Sequence, residues 1–500
     1  MALALAAPGA AHASIGCAVL ALLAAAEGAV DGKDDARDFL AVALDLPTGR
    51  NELAGITALG EAPAGISANP SVSADGRFVA FDTTATDILP GLTTRRQVYV
   101  RDRALDITRI VSVASDGTPS NFGAQTADIS ANGRYVAFNS SSSNLVLPDG
   151  NFFQEIYVHD LDALTTVRVS ITSDAVQASG RSHNPSISSD GRFVAFASES
   201  TDLVAGDTNG VRDIFVHDRD FDEDGDFDEP EAVATVRVSV AADGTEAESR
   251  CDMGPDAISD DGRFIVFWSL AANLVPDDTN GTFDVFLHDR DSDGDGVFDE
   301  PGEIATIRMG EPAAETGQPT MDAAISADGR YVAFVSNQQM LVPGDTNGWQ
   351  DLFVWDRAAD AISRVSVASD GTQASSFTRD IGMSPMGRFV VFYSNADNLV
   401  PGDAFGLDVF IHDRDADADG VFDEPGAVET RMASVAADGG FPNAESNPEF
   451  DEGRPSASED GRLVTFESDA TNLVTFDDNG RPDVFVRDRG DPGLAARCPL

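Results

Sequence analysis

Pro185 to Phe196 reads Pro-Ser-Ile-Ser-Ser-Asp-Gly-Arg-Phe-Val-Ala-Phe, and close copies of it recur along the chain. Their turn glycines are Gly76, Gly133, Gly191, Gly262, Gly329, Gly387 and Gly461, so one structural unit is used seven times. In the copy quoted, Pro185 to Ser188 and Arg192 to Ala197 flank an Asp190-Gly191 turn, and two further runs follow, Ile214 to Asp218 and Thr235 to Val240. All four runs are rich in β-branched and aromatic residues and end at Gly, Asp or Asn, the pattern of short strands. Four antiparallel strands used seven times predict an all-β, seven-bladed β-propeller, whose radial closure leaves only short sheet edges.

The seventh copy has a third strand at Val484 to Asp488 but no fourth. Asn51 to Gly60 aligns without a gap on Thr108 to Gly117, placing Leu53 on Ile110 and Ile56 on Val113. The N-terminal segment is therefore expected to complete the last blade, with a closing strand within residues 51–60. The propeller is expected to span residues 46–490, followed by a short tail at 491–500. Residues 1–45 read as a signal peptide or an N-terminal helical segment. Ile15 to Ala26 is apolar, with small residues at Ala13 and Ala26 for cleavage, although no Lys or Arg precedes Lys33. Export to the periplasm, cell surface or medium is the expectation, and no other apolar run approaches a membrane span.

Pro185 to Phe196, followed by Asp-Ile-Phe-Val-His-Asp at Asp213 to Asp218, resembles the TolB-like, WD-type propeller repeat over roughly residues 50–490. That resemblance implies the fold and no single activity, because the family serves periplasmic adaptors, peptidase gating domains and some lyases. A propeller-gated peptidase would carry an α/β-hydrolase domain, and TolB an α/β domain in front. Neither is expected in a sequence with about 45 residues before the repeats and about eleven after Arg489.

Five hundred residues at 42% hydrophobic content suit one large propeller. A net charge of -52 excludes nucleic acid and anionic membranes as partners, since phosphates could not be neutralised. Cys17, Cys251 and Cys498 are too few and too scattered for a disulfide framework or zinc site, leaving a Cys251–Cys498 bridge or isolated thiols open.

Three copies carry an insertion between their third and fourth strands. It lengthens the glycine-to-glycine spacing from 57 or 58 residues to 71, 67 and 74. The inserted residues follow Asp-x-Asp-x-Asp-Gly-x-x-Asp, the spacing of an EF-hand-type calcium loop. Carboxylates at positions 1, 3 and 5 come from Asp220, Asp222 and Asp224, from Asp291, Asp293 and Asp295, and from Asp415, Asp417 and Asp419. Position 7 offers the carbonyls of Asp226, Val297 and Val421, and position 9 the aspartates Asp228, Asp299 and Asp423. Only the first loop has an acid at position 12, Glu231, the others having Gly302 and Gly426. Closure is then expected from the ninth-position aspartates or from the adjoining Glu229, Glu300 and Glu424. Carboxylates about 4 Å apart repel by roughly 1 kcal/mol per pair in water and more at a protein surface, so structural calcium is expected.

A second acidic pattern lies between second and third strands: Asp207-Thr-Asn209-Gly210-x-x-Asp213, with counterparts at Asp278, Asp345 and Asp477. Asn-Gly turns with Asx hydrogen bonds explain it without metal. His159, His217, His288 and His412 share one third-strand position and read as packing groups between blades. His183 precedes a first strand near the channel mouth, without the histidine cluster that holds a divalent metal in some related lyases. The arginine after each turn glycine and the aspartate ending each third strand suggest an ion pair that locks every blade. The expectation is an exported, monomeric, non-catalytic propeller, stabilised by calcium, that binds a protein or glycan on one face. The alternative is a polysaccharide lyase acting near His183.

Overall fold

The repeated Ser-x-Asp-Gly turn is built by its own side chains. Ser188 Oγ donates to Asp190 Oδ1 at 2.9 Å and accepts the Phe193 N–H at 2.9 Å, while the Arg192 N–H reaches the same Asp190 oxygen at 2.9 Å. Gly191 sits at a φ of 85°, and a Cβ there would lie 2.1 Å from Tyr135 of the preceding blade. The turn therefore reverses the chain and lets the next blade approach at the same point.

The computed structural model describes residues 49–57, 60–89, 95–310, 319–403, 406–446 and 453–490. Among them 28 strands, β1 (Arg50–Leu53) to β28 (Asp483–Asp488), form seven four-stranded antiparallel sheets. This is the expected seven-bladed propeller. Second and third strands, such as Phe193–Ser198 and Asp213–Asp218, are buried along their whole length because both faces meet a neighbouring blade. Cross-strand aromatic pairs fill each blade, for example Phe196 and Phe215 with ring centroids 6.0 Å apart. Burying one such side chain contributes up to about 3 kcal/mol.

The ring closes through β1, which pairs antiparallel with β28. Leu53 lies opposite Phe485 as Ile110 lies opposite Tyr99 in the first blade, matching the sequence alignment. Strand limits differ in detail. In the third blade the first strand runs Ser182–Ile187 with a bulge between His183 and Ser186, and the fourth is only Ala234–Arg237. Val240 leaves that strand to bridge Glu246 in the following loop. The Arg–Asp pair is present in every blade, from Arg77–Asp102 to Arg462–Asp488, with nitrogen–oxygen distances of 2.7–2.8 Å.

Residues 1–45, the tail at 491–500, Cys17 and Cys498 lie outside the described residues. Cys251 is a buried free thiol, and burial pushes its pKa up. Among the described residues no helix is long and apolar enough to cross a membrane.

Candidate functional site

Each inserted loop starts from a buried aspartate that organises the turn. Asp291 accepts the N–H groups of Gly294, Asp295 and Gly296 at 2.9, 3.1 and 3.1 Å. Asp220 does the same for Asp224 and Gly225, and Asp415 for Asp419 and Gly420. Positions 1, 3 and 5 converge in all three loops, with ligand oxygens of Asp220, Asp222 and Asp224, of Asp291, Asp293 and Asp295, and of Asp415, Asp417 and Asp419 within 4.8 Å of one another. In the first loop Asp224, Asp226 and Glu229 form a second such group. Asp224 and its acidic neighbours push the Glu229 carboxyl above the usual range.

The ninth-position aspartates do something the spacing did not suggest. Asp228 accepts Arg219 Nε at 2.9 Å and Nη2 at 2.5 Å, and Arg219 Nη1 donates to the Gly191 carbonyl at 2.7 Å. Asp299 is held in the same way by Arg290, and Asp423 by Arg414. The guanidinium of Arg219 stacks between Tyr135 of the preceding blade and Phe227 of the loop, 4.8 and 5.0 Å from the ring centroids. Arg290 meets Phe193 and Phe298, and Arg414 meets Tyr331 and Phe422, in the same arrangement. These aspartates thus latch the loop to the body, and the converging groups are the first three carboxylates. Glu231, Val297 and Val421 are exposed, and Glu231 is not part of the converging group. The latch had a sequence signal: an arginine follows His-Asp in each loop-bearing blade, and a phenylalanine precedes each ninth aspartate.

The shared histidines join blades. His159 Nδ1 donates to Thr166 Oγ1 at 2.8 Å, and that hydroxyl donates to the Val113 carbonyl of the neighbouring blade at 2.5 Å. His217, His288 and His412 repeat the relay through Thr235, Thr306 and Thr430. Burial lowers the pKa of all four to about 4, so they are neutral. His183 is also lowered to about 4, by burial first and then by Arg212. Among the described residues, no histidine joins a group able to hold a metal.

Sequence reading missed the polar groups of the central channel. Buried Asp128 accepts Ser71 Oγ and the Ile187 N–H, both at 2.9 Å, and burial together with Asp256 pushes its pKa upward. Asp322 pairs with Arg454, whose guanidinium lies 5.4 Å from the Trp268 ring. The cavity at the turn end, bounded by Asp128, Asp256 and Met383, has a volume of about 60 Å³. That is space for about five waters and far less than a sugar ring needs.

Connections between second and third strands, and from each blade to the next, leave on the face opposite the Asp-Gly turns and the acidic loops. Phe122, Phe152, Phe153, Trp349, Phe441 and Phe476 lie in those connections and are 39–76% exposed.

No family model matches the sequence, and no curated protein matches it. Several solved structures are similar. One is an oligogalacturonate lyase from Vibrio parahaemolyticus, with 12% identity, 88% of this chain and 97% of that one covered, and a TM-score of 0.48. Another is the β-propeller domain of the Trilobed protease from Pyrococcus furiosus, with 12% identity, 85% and 93% covered, and a TM-score of 0.46. A third is a putative TolB from Agrobacterium tumefaciens, with 16% identity, 76% and 93% covered, and a TM-score of 0.35. Likenesses this distant assign no function to the chain.

Proposed function

We propose that this protein is an exported, calcium-stabilised propeller that acts as a non-catalytic binding module. It holds a protein or glycan partner on the face carrying Phe122, Phe152, Phe153, Trp349, Phe441 and Phe476. The observation that carries this reading is the segregation of the two faces. Six of the seven exposed aromatic side chains among the described residues, suited to stacking on sugars or to anchoring a protein partner, sit on one, and the carboxylate loops, with exposed Phe221, on the other. Calcium is supported by three loops that each bring three carboxylates within 4.8 Å. Oxygen-only donors of this kind suit a hard divalent cation. The channel favours a non-catalytic role, because Asp128 is held by Ser71 and the Ile187 N–H, Asp322 is paired with Arg454, and the adjoining cavity is about 60 Å³.

Two measurements test the reading. Chelator-stripped protein is melted alone and with millimolar calcium, magnesium or manganese. Calcium at 100 times Kd adds about 2.7 kcal/mol per independent site. A glycan array and partner capture are then run with the wild type and with Trp349→Ala and Phe476→Ala, which are expected to lose binding without losing stability. Cleavage of a polyuronate by the wild type, abolished in His183→Ala, would replace this reading with a lyase at the channel mouth.

A further inference from the structure

The Asn-Gly turns between second and third strands look alike in sequence and differ in how their charge is met. In the third blade, Arg237 Nη1 lies 3.3 Å from Asp207 Oδ1 and 3.8 Å from Asp213 Oδ2. In the fourth, Arg308 lies 3.1 Å from Asp278 and 3.7 Å from Asp284. In the fifth, Arg364 lies 3.4 Å from Asp345 and 3.7 Å from Asp351. Each arginine ends its fourth strand, opposite Phe215, Phe286 or Phe353. The Asx turn is present in these blades, as when Asn209 Oδ1 accepts the Val211 N–H at 3.0 Å, and the arginine neutralises the acidic pair beside it.

The seventh blade keeps the acids and lacks the arginine. Its fourth strand is β1, and the residue opposite Phe485 is Leu53. Asp477 is 8% exposed and Asp483 fully buried, and their partners are all neutral: the Asn479 backbone for Asp477, and the Asn479 and Ser67 side chains for Asp483. Asn479 Nδ2 donates to Asp483 Oδ2 at 2.5 Å, and the same amide group reaches the Pro63 carbonyl at 2.9 Å. Burial, with Asp477 beside it, pushes the Asp483 carboxyl up to about 8. The first blade escapes the problem because the neutral Gln97 stands at the aspartate position, accepting from Ser112 Oγ at 2.6 Å, while Ile110 stands at the arginine position opposite Tyr99. In the sixth, Met432 occupies the arginine position, but residues 404–405 of its loop lie outside the described residues.

We infer that Asp477 and Asp483 bind a hard divalent cation, calcium, in the place that arginine fills in the sister blades. The repeat register sets both buried carboxylates beside the position that Arg237 fills in the third blade, and carboxylate oxygens suit a hard cation. A buried carboxylate pair is relieved by taking up a proton or by holding a cation, and arginine shows which solution the repeat uses elsewhere. The consequence is local to the ring closure, since Asn479 ties this loop to Pro63 and the site lies against β1.

The test is calcium stoichiometry, measured by equilibrium dialysis on chelator-stripped full-length protein. Wild type is expected to bind one more equivalent than Leu53→Arg, which supplies the missing guanidinium, and one more than Asp477→Asn. Amide exchange over Arg50–Leu53 is expected to slow at least tenfold with calcium in the wild type and to stay unchanged in Asp477→Asn. Equal stoichiometry in all three proteins overturns the inference. So does a wild type in which the pair takes up one proton between pH 8 and 5 regardless of calcium. Because the comparison is between the wild type and variants of this site alone, failure of the three inserted loops to bind calcium leaves it intact.

Discussion

Replacing Arg414 with alanine isolates the latch that the ninth-position aspartate forms. The side chain of Arg414 is 1% exposed and that of Asp423 is 16% exposed, so the pair is held almost out of water. The mutation removes two hydrogen bonds to Asp423, at 2.9 and 2.5 Å, and one to the Gly387 carbonyl at 2.7 Å. It also empties the space between Tyr331 and Phe422. Removing one partner of a buried pair costs about 3–5 kcal/mol, and the partial exposure of Asp423 argues for the lower end, about 3 kcal/mol. With unfolding entropy near 2.1 cal/mol/K per residue over roughly 440 residues, each 1 kcal/mol moves Tm by about 1 °C, so a drop of about 3 °C is expected. The assay is calorimetry in chelator, where bound metal cannot compensate. Arg431→Ala, at a 54% exposed side chain, is the control and should stay within about 0.5 kcal/mol of wild type. Adding Asp423→Asn to Arg414→Ala should recover at least about 1 kcal/mol, because the stranded carboxylate is then neutral. An Arg414→Ala protein within 1 kcal/mol of wild type, or a cycle with no coupling, would refute the latch.

The buried histidines set a pH dependence with a definite sign. Folding lowers His412 from 6.5 to about 4, so the unfolded chain binds the extra proton between those values. Its contribution is complete above pH 6.5 and is lost as pH falls towards 4, by at most about 3 kcal/mol. Asp213 and Asp408, raised to about 6 by burial, act in the opposite direction over the same range. The informative quantity is therefore the difference between wild type and His412→Gln from pH 7 to 4, and equal slopes would dismiss the relay. Arg192→Ala should cost about 1–2 kcal/mol through its bidentate contact with Asp218, read as a shift in denaturant midpoint at unchanged slope. Deleting residues 50–53 should expose β28 as an unpaired edge and lower Tm by several degrees or drive dimerisation, seen by light scattering. A monomer of unchanged stability would contradict closure by β1.

The fold was legible because its signals are local and repeated. A turn whose serine, aspartate and glycine each have a backbone task can be read from four residues, and seven copies remove the ambiguity of any one. Closure by the N-terminal segment was legible for the same reason, since Leu53 could be counted onto Ile110. The loops were legible only in part. Spacing identified Asp291, Asp293 and Asp295 as converging and offered Asp299 or Glu300 to close the loop, but it did not show that Arg290 holds Asp299. Spacing alone could not show that contact, because a motif encodes order along the chain, while the arginine is brought in by the strand end and by the aromatic ring of another blade. Asp128 and Asp256 were invisible for a related reason. They come from different blades and meet only when the ring has closed.

The two classes of acidic site have opposite relations to the proposed binding face. The inserted loops share the Asp-Gly face with the latch arginines, and their carboxylates cannot touch a ligand stacked on Trp349 or Phe476. Calcium there acts on binding through the stability of the blade, so its effect should track Tm and be insensitive to which ligand is bound. Asp477 is different, because it follows Phe476 directly in a loop of the aromatic face and its partner Asp483 begins β28. A cation held there would fix the backbone that presents Phe476 and, through Asn479 and Pro63, the segment that follows β1. Ring closure and the aromatic face would then depend on one site, in the one blade whose fourth strand comes from the other end of the chain.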